Sequence, residues 1–167
     1  MRTMVWRVAA VLALVLPMAM GAVPVGAAPD SPQCFYPLAD SYVDSATPTV
    51  NYGGDGTVLV QRTDVGATVK LAYLRFDLSA IPSDATITSA TLQLYLTQVT
   101  ASAGYQLSRA TSSWQEYNLT WNNKPTTSGA FDSPSHNGDV GWKTWNAIQP
   151  VSDWVTGAAT NYGLVIS

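Results

Sequence analysis

Polar and apolar residues alternate through much of this chain. Leu92, Leu94 and Leu96 interleave with Gln93, Tyr95 and Thr97, and Ala72, Leu74 and Phe76 interleave with Leu71, Tyr73 and Arg75. A period of two puts successive side chains on opposite faces of an extended strand, so each run predicts a strand with one inward face. Phe35 to Val43, Val58 to Val60 and Tyr105 to Ala110 are further strands on the same grounds, and Gly141 to Trp145 and Gly163 to Ile166 are shorter ones. Trp142 and Trp145 lie three apart, so in a strand they face opposite ways and at most one is exposed.

Turn-forming residues separate these runs. Asn51-Tyr52-Gly53-Gly54-Asp55-Gly56, Ile81-Pro82-Ser83-Asp84, Asn122-Asn123-Lys124-Pro125 and Ser133-Pro134-Ser135-His136-Asn137-Gly138 read as loops. Many short strands between such breaks predict an all-β fold, a β-sandwich of jelly-roll type with antiparallel strands. One short helical turn is expected near 150–156. Pro150 suits a first helical position, Val151, Trp154 and Val155 share a face, and Gly157 stops the turn. No strong internal repeat and no interdomain linker stands out.

The first 28 residues have a different pattern. Arg2 and Arg7 precede an apolar run from Val8 to Ala22, and Val25-Gly26-Ala27-Ala28 supplies the small residues of a cleavage site. This is the layout of a secretory signal peptide. Pro17 interrupts the run, which falls short of the roughly 20 apolar residues of a spanning helix. The expected organisation is a leader over 1–28, a loose segment over 29–34 and a sandwich module over 35–167.

Charge and cysteine content narrow the function classes. The 167 residues carry 8 Lys and Arg against 11 Asp and Glu, and loss of Arg2 and Arg7 would make the balance more acidic. That argues against a nucleic-acid partner, whose phosphates call for clustered cations, and against an anionic membrane surface after leader removal. Cys34 is the single cysteine, so no disulfide framework forms within the chain. Ser31-Pro32-Gln33 is no lipidation signal. The expected location is secreted, extracellular or at a bacterial cell surface.

Four blocks carry a resemblance. Ala39 to Val60 (ADSYVDSATPTVNYGGDGTVLV), Arg75 to Leu96 (RFDLSAIPSDATITSATLQLYL), Ser113 to Pro125 (SWQEYNLTWNNKP) and Val151 to Ser167 (VSDWVTGAATNYGLVIS) occur in the order found in the DNRLRE-type domain. That group overlaps the family 96 carbohydrate-binding modules and is related to disaggregatase-associated repeats. The namesake hexapeptide is absent. The resemblance covers Ala39 to the end and implies a secreted, non-catalytic β-sandwich appended to larger proteins, some relatives binding acidic polysaccharide such as alginate. Members of the family run on past the NYGL motif, so the last strand or strands are expected to be missing here. A missing strand would leave an unpaired sheet edge.

The candidate chemistry follows from this. Glycoside hydrolysis needs two carboxylates at a fixed separation, and Glu116 is the only Glu; it is expected to satisfy a turn or pair with a base. Asp132, His136 and Asp139 share a polar loop and are read as solvated rather than catalytic. No nucleophile elbow, HExxH or zinc spacing occurs, so no catalytic residue is assigned. Asp40, Asp44 and Asp55, with Asn51, offer hard oxygen ligands, and a structural calcium ion is the one cofactor they suggest. Asn118-Leu119-Thr120 fits a glycosylation sequon.

Sugar recognition needs aromatic faces and fixed hydrogen-bonding groups. Trp114, Trp121 and Trp154 are expected to pack inward or at sheet edges. Parity places Tyr73 and Arg75 on the outer surface, and with Arg62 and Tyr95 they form the expected binding platform. The resulting expectation is a polysaccharide-binding module, its ligand neutral or uronate-containing. The alternatives are a structural or adhesive module of a surface protein without sugar affinity and, less favoured, a polysaccharide lyase or glycoside hydrolase.

Overall fold

A computed structural model describes residues 4–15, 32–61, 68–98, 103–136 and 139–167. The described chain is an antiparallel β-sandwich. Its strands are β1 (Met4–Val15), β2 (Gln33–Phe35), β3 (Pro37–Asp44), β4 (Thr57–Val60), β5 (Lys70–Phe76), β6 (Ser89–Gln98), β7 (Ala103–Gly104), β8 (Leu107–Arg109), β9 (Ser135–His136), β10 (Gly141–Asn146) and β11 (Leu164–Ile166). One sheet has the order β10-β6-β1-β2, with β4 also paired to β1; the other runs β3-β5-β11-β8. β7 and β9 form a separate two-stranded piece.

The alternating runs fold as their parity requires. Ala72, Leu74 and Phe76 of one sheet meet Leu92, Leu94 and Leu96 of the other in a common core with Val58, Val60, Leu164, Ile166 and Trp145. Helix α1 (Ile148–Val155) closes one end, burying Val151, Trp154 and Val155 against that core. It begins two residues earlier than expected, with Ala147 as its N-cap. Pro150 therefore sits third, still in the first turn, where no intrahelical N–H bond is required of it.

Two sequence expectations are corrected. The strand placed over Phe35 to Val43 is two, β2 and β3, divided at the exposed Tyr36. Tyr105 and Gln106 lie outside β8, although Gln106 exchanges two backbone hydrogen bonds with Ser167. Met4–Val15, within the segment read as a leader, is drawn as β1, whose backbone pairs with β6 on one side and with β4 and β2 on the other. The remainder of residues 1–28, including the expected cleavage site, lies outside the described residues.

The four-stranded sheet is covered on both faces. Residues 111–125 leave β8, pass over its outer face and include a 3-10 turn at Glu116–Asn118. Beneath them Trp114 and Leu119 form a second apolar cluster with Ala39, Val43, Tyr73, Ala110 and Val165. Burial from both sides explains why β11 reads as an unbroken Leu-Val-Ile run, each residue fully buried.

The tripeptide Asn-Tyr-Gly occurs twice and makes the same device each time. Asn51 Nδ2 donates to the carbonyl oxygens of Glu116 at 2.7 Å and Leu119 at 2.8 Å, while its Oδ1 accepts from Gly53 N at 3.2 Å. Asn161 Nδ2 donates to Phe76 O at 2.9 Å, and its Oδ1 accepts from Gly163 N at 3.1 Å. Each asparagine thus closes a local turn on its glycine and ties it to a remote carbonyl. Both glycines are required by close approach: an added Cβ would lie 2.2 Å from Glu116 O at position 53 and 2.4 Å from Leu74 O at position 163.

Candidate functional site

β5 carries Tyr73 and Arg75 to the outer face of the four-stranded sheet, as parity predicted, and the 111–125 crossing then treats them differently. Tyr73 is fully buried beneath it, with its hydroxyl donating to Pro125 O at 2.9 Å and its ring edge-on to Trp114. Burial pushes that phenol well above its usual range. The expectation of an exposed Tyr73 is therefore corrected: a later segment covers the face that strand parity left open.

Arg75 lies two residues along, at the margin of the cover, and is half-buried. Its guanidinium stacks over Trp114 at 5.6 Å, and Nη1 donates to Trp114 O at 3.4 Å. Among the described residues the ion pairs are Lys70 with Asp44 and Arg109 with Asp153, and Arg75 is in neither.

Two clefts meet at this side chain. One, of about 490 Å³, is lined by Arg75, Ser113, Trp114, Gln115, Asn118, Leu119 and Asn123, with no carboxylate among them. The other, of about 410 Å³, is bordered by Arg75, Asp77, Ser79, Trp154, Asn161 and apolar side chains including the exposed Leu38. Among the described residues two buried side-chain nitrogens have no hydrogen-bond partner, Arg75 Nε and Trp154 Nε1, and both residues border this second cleft. An unpaired buried donor costs about 1–3 kcal/mol, so such groups call for an explanation.

The other expected site residues do not join Arg75. Tyr95 is on β6, facing outward from the opposite sheet, where its ring meets Trp142 edge-on at 5.4 Å. The single platform is thus corrected: strand parity assigns a face within one sheet and says nothing about which sheet a second strand enters. Arg62 lies outside the described residues. Trp142 is about half exposed and Trp145 is buried, as their spacing predicted. Trp114 and Trp154 are buried, and Trp121 is half-buried with Lys124 Nζ 3.7 Å from its ring centre.

The carboxylates suggested for calcium have separate engagements. Asp44 pairs with Lys70 at 2.8 Å and accepts from Ala46 N, and Asp55 accepts from the Tyr42 hydroxyl. Asp40 sits beside Glu116; burial, and then the Glu116 charge, raise its carboxyl to about 6. Among the described residues no three His, Cys, Asp or Glu side chains gather at metal-binding distance. Glu116 satisfies backbone rather than a base, accepting from Asp40 N on edge strand β3 at 3.3 Å. Asp132 accepts from Asn146 N at 2.7 Å and so fastens the end of β10, and Cys34 is an exposed free thiol on β2.

Sequence reasoning missed Gln115, Asn118 and Asn123 as cleft residues. Their signal was present as polar, mostly amide side chains at intervals through the Trp114–Pro125 block. The link that brings them to Arg75 is Trp114 Nε1 donating to Tyr162 O at 2.7 Å, a long-range contact that spacing does not reveal.

Comparison with known proteins gives the following. The model of carbohydrate-binding module family 96 matches residues 31–167, nearly all of the chain. The tRNA nuclease WapA of Bacillus subtilis (strain 168) is similar at 28% identity over 138 residues, covering 75% of this chain and 6% of that protein. The tRNA3(Ser)-specific nuclease WapA of Bacillus spizizenii is similar at 27% identity over the same coverage. The chain therefore spans a small fraction of these relatives, and the nuclease names describe those whole proteins.

Proposed function

The chain belongs to carbohydrate-binding module family 96, and we propose that it is a non-catalytic module that binds a polysaccharide where the two clefts meet at Arg75. The observation that carries this reading is the half-buried guanidinium of Arg75, which borders both clefts and belongs to neither of the ion pairs among the described residues. A polysaccharide brings many oxygen acceptors, and the neighbouring cleft adds the amides of Gln115, Asn118 and Asn123. That cleft holds one guanidinium and no carboxylate, which favours a sugar bearing a carboxylate, such as a uronate. The proposal extends to location: the charge and hydropathy of residues 1–28 suit export, and the module is of the size carried within much longer proteins.

The test is binding to a panel of neutral and uronate polysaccharides, read by affinity electrophoresis and calorimetry. The expected result is retention by a polyuronate that weakens as salt rises and falls about tenfold or more in Arg75→Ala. Unchanged affinity in that variant removes the proposed site. Silence over the whole panel would favour the structural or adhesive alternative.

A further inference from the structure

The outer face of the five-stranded sheet carries a second, chemically different surface. β6 presents Thr91, Gln93 and Tyr95 outward, and β10 sets Asn146, Thr144 and Trp142 directly across from them. None of these six residues is charged, and on the other side of β6 the register of β1 sets Arg7 across from Tyr95. Trp142 is 51% exposed at one end of this row, across from Tyr95. Its ring stands at 81° to that of Tyr95, so the two do not make one flat floor. Tyr95 instead meets the indole in a T-shaped contact that leaves Trp142 half exposed.

We propose that this face is a second glycan-binding surface, on which Trp142 stacks against a pyranose ring of a neutral polysaccharide. The indole supplies a flat apolar face for sugar C–H groups, and the hydroxyls and amides around it exchange hydrogen bonds with sugar hydroxyls. Between β6 and β10 the leading contact is the exposed indole and not a cation, which favours an uncharged polymer. Tyr95 acts as a positioning residue through the indole. The inference rests on the carbohydrate-binding reading above but uses the opposite face, away from Arg75.

Affinity electrophoresis through gels holding a soluble neutral β-glucan or xylan, run beside gels holding a polyuronate, tests it on the full chain. Trp142→Ala is expected to lower neutral-glycan retardation about tenfold and to leave polyuronate binding and the melting temperature unchanged. Arg75→Ala is expected to do the reverse. Neutral-glycan binding should be insensitive to added salt. Tyr95→Phe should keep the affinity and Tyr95→Ala should lower it, which separates propping from direct hydroxyl contact. Full neutral-glycan affinity in Trp142→Ala, or polyuronate binding with no neutral glycan bound, overturns the proposal while the Arg75 reading stands. If no glycan of either kind binds, both readings fall. A concentration-dependent dimer abolished by Trp142→Ala would assign the face to a second copy and overturn it as well.

Discussion

The side-chain amide of Asn51 grips the backbone of Glu116 across 65 residues of sequence, donating to its carbonyl oxygen at 2.7 Å, while Gly53 packs against the same peptide. This contact seats the segment that covers the four-stranded sheet. Asn51→Ala should leave the carbonyls of Glu116 and Leu119 without that donor and cost about 1–3 kcal/mol. Gly53→Ala should cost at least as much, since its methyl group would overlap backbone that a side-chain rotation cannot move. Urea unfolding of both variants checks this, and stability equal to the parent chain would refute the clamp.

The second copy of the motif adds backbone strain to crowding. Gly163 has φ of +97° and its Cβ position lies 2.4 Å from Leu74 O. Gly163→Ala should therefore destabilise by several kcal/mol, more than the roughly 1 kcal/mol typical of a substitution. Gly54→Ala is the control, because its Cβ would meet open space. Thermal unfolding should show a large drop for the first and little change for the second.

Tyr73 is fully buried beneath the cover and bonded to it through Pro125 O. Tyr73→Phe should cost about 1 kcal/mol through the lost bond to Pro125 O, and Tyr73→Ala about 3–5 kcal/mol through the cavity. Glycan affinity measured on the folded fraction of Tyr73→Phe should match the parent chain. A selective loss of binding at unchanged stability would return Tyr73 to the ligand surface.

Asp40 gives stability a pH dependence. Burial, followed by the Glu116 charge, raises its carboxyl from 3.8 to about 6, so folding disfavours the ionised form. The folded state is relatively favoured while Asp40 is protonated and loses that advantage as pH rises from about 4 through about 6. Asp40→Asn should accordingly raise the melting temperature above about pH 7 and leave it unchanged below about pH 4. The variant keeps the backbone N–H that Glu116 accepts from. A pH-independent difference would assign the effect to packing.

Local alternation made much of the fold legible. It placed Leu74 and Leu94 in one core, put Tyr73 and Arg75 on the far face of their strand, and separated Trp142 from Trp145. It failed where the deciding contact is remote in sequence. Nothing near Tyr73 signals that residues 111–125 will cover it, and nothing in the parity of Tyr95 shows that β6 enters the other sheet. The twin Asn-Tyr-Gly turns were visible as letters, but a tripeptide used twice has no period. Its meaning lies in the distant carbonyls each asparagine reaches. Arg75 was legible as an outward cation, whereas its two clefts depend on Trp114 reaching Tyr162.

Many small domains are stapled by sulfur. Here the single thiol, Cys34, has no mate in the chain, and long-range hydrogen bonds, the two asparagine amides among them, do the fastening instead. Amide clamps do not respond to thiols or oxidants, so the sandwich should melt at the same temperature with and without reductant, and its assembly requires no oxidative maturation step.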